Sequence, residues 1–262
     1  IEGLEVSSIS ADLYGNGRDD ITLFYFKDSA NYATVSTTSS IISESIEWNK
    51  NSNKKSTKGI LVNTKNANTF TGQQGLDSLN TISKNLSRIL TIKESKTEKG
   101  VTETVKIKDL LFASTGVIGE KFPVNKIDKS LQELVDKLRV VQNKLIWMKT
   151  ASAIMTTDTK PKLAYEEVAL GNKIIKLAGI AKGSGMIAPN LATMFSFIFT
   201  DADIPSHLLK SLLKRAVANS FNSITVDSDQ STNDMVSIFA TKKIKIGQNR
   251  TITDPIIQKF EN

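Results

Sequence analysis

Apolar positions recur along the chain at two spacings, which predict strands in some segments and helices in others. Runs rich in β-branched and aromatic residues predict strands at 19–26, 32–39, 58–64 and 109–115. The first two runs flank the polar segment KDSAN and are expected to pair across a turn. Two shorter runs, ASAIM at 151–155 and SITV at 223–226, are also expected to be strands.

Apolar residues three and four positions apart predict three amphipathic helices. The first covers 75–90 with Asp77 as its N-terminal cap, and the second covers 125–141. The third begins near Asp203 and continues through Val217. Because strands and helices are mixed without a repeat or a long linker, the expected fold class is α+β.

Composition narrows the possible chemistry. The 262 residues are 39% apolar and include no cysteine, which excludes disulfides, thiolate catalysis and cysteine-based metal sites. We predict no metal site. The only histidine, His207, falls in a predicted helix without a nucleophile motif nearby, so a Ser-His-Asp triad is not indicated.

Charge and hydropathy bear on partners and location. The formal charge is +7, but the lysines are scattered and have no aromatic residues between them, so we expect a solvated surface and no nucleic-acid partner. The start, IEGLEVSSIS, lacks the regions of a signal peptide, and no apolar run reaches the length of about 18 residues that a membrane span needs. We expect a cytoplasmic protein without a membrane partner.

Polar loops rich in Thr, Asn and Gly follow several of the predicted strands. Loops of this composition expose backbone N–H groups that can hold a carboxylate or an oxyanion. The segment KGSGMIAPNLATM, residues 182–194, adds a chemistry that needs no histidine. If the peptide bond before Thr193 is cut, the released α-amine can act as the base for the threonine hydroxyl. Composition alone leaves this as one hypothesis among several.

Five ordered blocks carry a family resemblance: VNTKNANTFTGQQG, STGVIGEKFP, AIMTTDTKPK, KGSGMIAPNLATM and SFNSITVDSDQSTND. Together they resemble the signature segments of the ornithine acetyltransferase family, the glutamate N-acetyltransferases of cyclic arginine biosynthesis. The resemblance covers nearly the whole chain. It implies an αββα-type sandwich of the DmpA/ornithine acetyltransferase-like kind, similar to the N-terminal-nucleophile hydrolases.

The resemblance also implies a reaction. The precursor would cut itself between Ala192 and Thr193, leaving an α chain of residues 1–192 and the start of a β chain, residues 193–262, which stay associated. Thr193 would then take the acetyl group of N2-acetyl-L-ornithine and pass it to L-glutamate in a ping-pong cycle. No cofactor is expected, although acetyl-CoA is a possible second acetyl donor. A homo-oligomer of αβ units is expected.

Site residues follow from the same motifs. Thr115 and Gly116 match the family's oxyanion hole, through a hydroxyl and a backbone N–H. Thr156 and Lys182 match positions that contact the substrate, together with Thr193. Lys182 offers a positive charge for a carboxylate, or for lowering the pKa of a neighbouring amine.

Two departures and two alternatives remain. The chain ends at Asn262, whereas the family continues further, so we expect a β chain truncated at its C-terminus that lacks part of the substrate pocket. The loop VNTKNAN differs from the family's glycine-containing form, which we expect to alter a turn more than the chemistry. The alternatives are a self-processing aminopeptidase or amidase of the related group, and a truncated inactive homologue.

Overall fold

The computed structural model describes residues 1–52, 55–97, 104–170, 173–185, 194–227, 231–247 and 250–261. The predicted cleavage site, Ala192 and Thr193, lies outside the described residues. The strands are β1 (Leu4–Ile9), β2 (Ile21–Ser36), β3 (Ser56–Asn63), β4 (Leu110–Ser114), β5 (Lys162–Leu170), β6 (Lys173–Lys182), β7 (Phe195–Ala202) and β8 (Met235–Ile244). The helices are α1 (Glu44–Lys50), α2 (Gly72–Thr97), α3 (Val124–Asp136), α4 (Lys144–Ala153), α5 (Ser206–Ala218) and α6 (Pro255–Glu261).

Strand β2 joins two halves of one sheet. Its first half pairs with β1 and β3, and its second half pairs with β8. The register with β3 shifts between Tyr25 and Ala30, where Ser29 has a φ of +56°. The predicted hairpin at 19–39 is therefore wrong, because the polar segment KDSAN forms an irregularity inside one long strand instead of a turn.

The eight strands have the order β4-β3-β2-β8-β7-β6-β5, with β1 added beside β2. The pairs β3–β4 and β7–β8 are parallel, and the other pairs are antiparallel. Because side chains alternate between the two faces of a strand, each half of the sheet has an inner and an outer apolar face.

The inner faces of the two halves pack against each other. Phe24 and Phe26 of β2 meet Phe197 and Phe199 of β7 in this central core, and the Phe24 and Phe199 ring centroids are 4.7 Å apart. Fully burying an aromatic or aliphatic side chain of this size is worth about 1.5–3 kcal/mol. Helix α4 adds Trp147 to the same core.

Helices cover both outer faces. Helices α2 and α3 pack on β1–β4, and helices α5 and α6 pack on the faces of β6 and β8. The layers thus run helix, sheet, sheet, helix, as the αββα prediction requires. No helix in the described ranges is long and apolar enough to cross a membrane.

Three local predictions are wrong. Asp77 does not cap a helix, because α2 begins earlier and the Glu44 carboxylate accepts the backbone N–H groups of Thr71 and Gly72 at 3.1 and 2.6 Å. The run 151–155 is the end of α4 and the turn after it, not a strand. The run 223–226 begins at the last residue of a short 3-10 helix, Phe221–Ser223, and is not a strand.

Candidate active site

The loops after the parallel strands β3 and β4 meet at one edge of the sheet. The backbone N–H of Thr115 donates to the carbonyl oxygen of Asn63 at 3.1 Å. The N–H of Val117 donates to the carbonyl oxygen of Lys65 at 2.9 Å, and the N–H of Ala67 donates back to the carbonyl oxygen of Val117 at 2.9 Å. These bonds hold the predicted oxyanion residues in a fixed backbone conformation.

Gly116 occupies a position that only glycine fits. Its φ is +136°, and an added Cβ would lie 2.2 Å from the carbonyl carbon of Lys65. The backbone N–H of Gly116 donates to no other described residue. An exposed and unpaired N–H is what an oxyanion hole needs.

Lys65 lies in the loop after β3, the segment VNTKNAN. Its φ is +72°, a left-handed conformation that favours glycine. The lysine side chain at this position therefore introduces local backbone strain.

Lys182, the last residue of β6, contacts Thr115 from the other half of the sheet. Its side chain is only 2% exposed, and Nζ donates to Thr115 Oγ1 at 3.1 Å. Because an ammonium group can only donate, the Thr115 hydroxyl accepts this bond and its own proton stays available for an oxyanion. Burial lowers the pKa of Lys182 to about 8, although the charges of Asp158 and Asp234 oppose the shift.

Asp158 fixes the turn after α4 beside Lys182. Its Oδ1 accepts the backbone N–H of Gly183 at 2.8 Å and the ammonium group of Lys162. Burial by itself raises the pKa of Asp158, but these two bonds and the charge of Lys182 leave that pKa below its usual value. Thr156 lies half-buried in this turn, and its hydroxyl makes no hydrogen bond to another described residue.

Asp234, directly before β8, is a site residue that sequence reasoning missed. It is fully buried, and Oδ1 accepts the backbone N–H of Met194 at 2.7 Å. Met194 is bonded to Thr193, so this anchor lies one residue from the predicted nucleophile. Within the described ranges, Oδ2 is buried without a hydrogen-bond partner.

Asn233 connects these loops by hydrogen bonds, and the sequence analysis did not identify it as a site residue. Its Nδ2 donates to the carbonyl oxygens of Ala67 and Ser114, both at 2.6 Å, and its Oδ1 accepts from the Thr69 hydroxyl at 3.0 Å. The available signal was the polar run STND directly before the apolar run of β8.

The structure thus brings Thr115, Gly116, Lys182 and the turn with Thr156 to one place. Their predicted roles stay predictions, as do those of Ala192 and Thr193. A cavity of about 720 Å³ lies elsewhere, between β2, α1 and the start of α5. None of the predicted site residues lines it.

A pH dependence of stability follows from the buried carboxyl. Burial raises the pKa of Asp234 from 3.8 to about 7, so the folded chain holds this proton more tightly than the unfolded chain does. As pH rises through that interval, ionisation of the unfolded carboxyl lowers the free energy of unfolding. Asp234→Asn keeps an acceptor for the Met194 N–H and should not show this part of the decrease.

Urea unfolding of both proteins between pH 5 and 8 measures the effect. The stability of the wild type relative to Asp234→Asn should fall up to about pH 7 and then level off. If the difference in the free energy of unfolding between the two proteins stays constant over this range, the pKa of the Asp234 carboxyl is not raised.

Comparison with known proteins supports the resemblance. The model of the ArgJ family matches residues 5–262. The arginine biosynthesis bifunctional protein ArgJ of Bartonella quintana is 38% identical over 246 residues, which are 94% of this chain and 56% of that protein. The chain therefore spans little more than half the length of this relative.

Two solved structures share the fold. The ornithine acetyltransferase of Mycobacterium tuberculosis, complexed with ornithine, has a TM-score of 0.60 and 22% identity, over 72% of this chain and 93% of that chain. The L-aminopeptidase D-Ala-esterase/amidase of Ochrobactrum anthropi, a variant of the Ntn hydrolase fold, has a TM-score of 0.56 and 11% identity, over 97% and 76%. The predicted fold class is confirmed, and the chain belongs to the ArgJ family.

Proposed function

We propose that this chain is the part of a glutamate N-acetyltransferase that carries its threonine nucleophile. The acetyl group would move from N2-acetyl-L-ornithine to L-glutamate. The observation that carries the proposal is the buried Lys182–Thr115 contact, in a site where Asp234 anchors the residue after Thr193. The names of the ArgJ relative and of the ornithine-bound structure agree with this substrate class.

The first step is self-cleavage. The hydroxyl oxygen of Thr193 attacks the carbonyl carbon of Ala192, and the bond between that carbon and the Thr193 nitrogen breaks. The hydroxyl proton goes to the departing amine. Water then hydrolyses the ester, which leaves a carboxylate on Ala192 and a free α-amine on Thr193.

The second step is acetyl transfer. The Thr193 amine accepts the hydroxyl proton while the oxygen attacks the acetyl carbonyl, and the proton then goes to the departing ornithine nitrogen. The amine of glutamate attacks the resulting threonine ester, loses one proton and restores the hydroxyl. The acetyl group thus changes partners without net oxidation or hydrolysis.

The Thr115 hydroxyl and the Gly116 N–H stabilise the negative oxygen that forms in both steps. Each donor of this kind is typically worth about 3 kcal/mol of barrier. Lys182 fixes the direction in which the Thr115 proton points, because it occupies an acceptor site of that hydroxyl. Thr156 and Lys182 also contact the substrate in this proposal.

The α and β chains stay associated and assemble as a cytoplasmic homo-oligomer of αβ units. No cofactor takes part, and acetyl-CoA is a possible alternative donor. A related self-processing aminopeptidase or amidase would use the same nucleophile but release the acyl group to water.

Measuring the fate of the acetyl group tests the proposal. The purified protein is incubated with N2-acetyl-L-ornithine, with and without L-glutamate, and the products are quantified by mass spectrometry. We expect N-acetylglutamate and ornithine in equal amounts and little acetate. Acetate release that does not depend on glutamate would indicate a hydrolase instead.

A further inference from the structure

A chain of contacts runs from the predicted oxyanion loop to the turn that carries Thr156. The backbone of Gly116 packs against that of Lys65, whose Nζ lies 5.7 Å from the centroid of the Tyr14 ring. The same ring lies 4.4 Å from the guanidinium carbon of Arg18. Arg18 in turn donates to the carbonyl oxygen of Met155 at 2.8 Å, one residue before Thr156.

A second set of contacts, described above, links the same turn to Thr115 through Lys182. Asp158 in the turn after α4 accepts the N–H of Gly183, and the preceding Lys182 reaches Thr115. The two sets of contacts link the predicted oxyanion loop to the turn with Thr156 by two separate routes. One route contains Lys182, and the other consists of Arg18, Tyr14 and Lys65, which we call the cationic rim.

The cationic rim has charge that no carboxylate among the described residues neutralises through an ion pair. Neither Arg18 nor Lys65 forms an ion pair with a carboxylate in the described part of the chain. The charge of Asp20 interacts with that of Arg18 without forming an ion pair. The two carboxylate oxygens of Asp20 instead accept the backbone N–H groups of Ala11 and Leu13 at 2.6 and 2.7 Å. The two half-buried cations thus remain available for an anionic ligand.

The backbone of Lys65 has a left-handed conformation that glycine adopts more easily. Strain of this kind clusters at functional sites, and Lys65 lies directly against the backbone of Gly116. Glycine would relieve the strain but would remove the ammonium group.

We propose that the cationic rim is a carboxylate subsite, with Lys65 as a specificity residue for the side-chain carboxylate of the acidic acceptor. The choice of acceptor rests on the proposed acetyl transfer to glutamate. A ligand with a second carboxylate gains a charge-assisted hydrogen bond there, whereas its amide analogue does not. In this proposal one end of the amino acid contacts Lys182, and its side-chain carboxylate contacts the cationic rim.

Equilibrium binding of L-glutamate and L-glutamine by calorimetry tests the subsite without requiring activity. We expect the wild type to bind glutamate about tenfold more tightly than glutamine, as one hydrogen bond to a charged group allows. Lys65→Gly should lose most of this preference while unfolding at the same or a higher temperature. Lys65→Arg should restore the preference, because it restores the charge.

Lys242 provides a matched control. It is also a left-handed lysine, with a φ of +66°, but its ammonium group donates to the backbone of Asp28, away from the site. Lys242→Gly should keep the full preference for glutamate. The subsite is wrong if the wild type does not distinguish the two ligands, if Lys65→Gly still does, or if both glycine variants lose the preference equally. A chain that shows the expected preference but transfers no acetyl group would support the subsite and contradict the proposed function.

Discussion

Thr193→Ala should abolish both self-cleavage and acetyl transfer. The substitution removes the only oxygen that the account assigns as nucleophile, and alanine supplies no other. Its neighbour Met194 would still be held by Asp234, so the fold should persist as one intact chain. Intact-mass measurement and the acetyl-transfer assay read the two losses separately.

Thr193→Ser is the matched variant, because it keeps a hydroxyl and removes only a methyl group. We expect it to cleave and to transfer acetyl groups, more slowly than the wild type. Cleavage that survives in Thr193→Ala would remove residue 193 from the mechanism.

Gly116→Ala should lower the rate of acetyl transfer by about 100- to 1,000-fold, the usual effect of losing one oxyanion donor. An alanine Cβ would lie 2.2 Å from the Lys65 carbonyl carbon and 2.6 Å from the Asn66 nitrogen. Both contacts are with backbone, which cannot move aside as a flexible side chain would. The loop must shift, and the N–H of residue 116 moves with it. Steady-state kinetics measure the effect.

Gly119→Ala is the control that distinguishes the steric clash at Gly116 from the strain of a left-handed alanine backbone. Gly119 also has a positive φ, +80°, but an added Cβ would meet nothing within 4 Å. Alanine there costs about 1–2 kcal/mol of stability through its left-handed backbone, and transfer should stay near the wild-type rate. Equal losses of activity in the two variants would show that Gly116 has no special role in the reaction.

The site combines two ionisable groups that burial disfavours in their charged forms. Burial lowers the pKa of Lys182 and raises that of Asp234. Perturbed groups of this kind cluster at functional sites, where geometry and charge outweigh local stability. This supports a catalytic reading of the Lys182–Thr115 contact over a purely structural one.

The sequence predicted the strands β3 and β4, the two parts of β2 and the helices α2, α3 and α5, but it did not predict β1 or β5 to β8, nor which strands pair. The segment 27–31 has turn-forming residues between two strand-like runs, so it is typical of a hairpin. The separate partners of the two halves of β2 make it one continuous strand, and only the tertiary structure determines those partners. The start of α2 escaped prediction for a similar reason, because its capping carboxylate comes from Glu44 in α1.

For the site, too, the sequence indicated individual residues but not the contacts between them. Motif resemblance indicated Thr115 and Lys182, which lie 67 positions apart, but the contact between them depends on the fold. Asp234 was missed because its partner, Met194, is 40 positions away and is recognised through a backbone N–H. A backbone donor has no signature in the sequence.

Trapping the acetyl group tests the central claim most directly. The protein is incubated with N2-acetyl-L-ornithine alone, quenched in acid and analysed by mass spectrometry. We predict a fragment that begins at Thr193, is heavier by one acetyl group on that residue, and loses this group when L-glutamate is added. An uncut chain that still transfers acetyl groups, with no acetyl on residue 193, would contradict it.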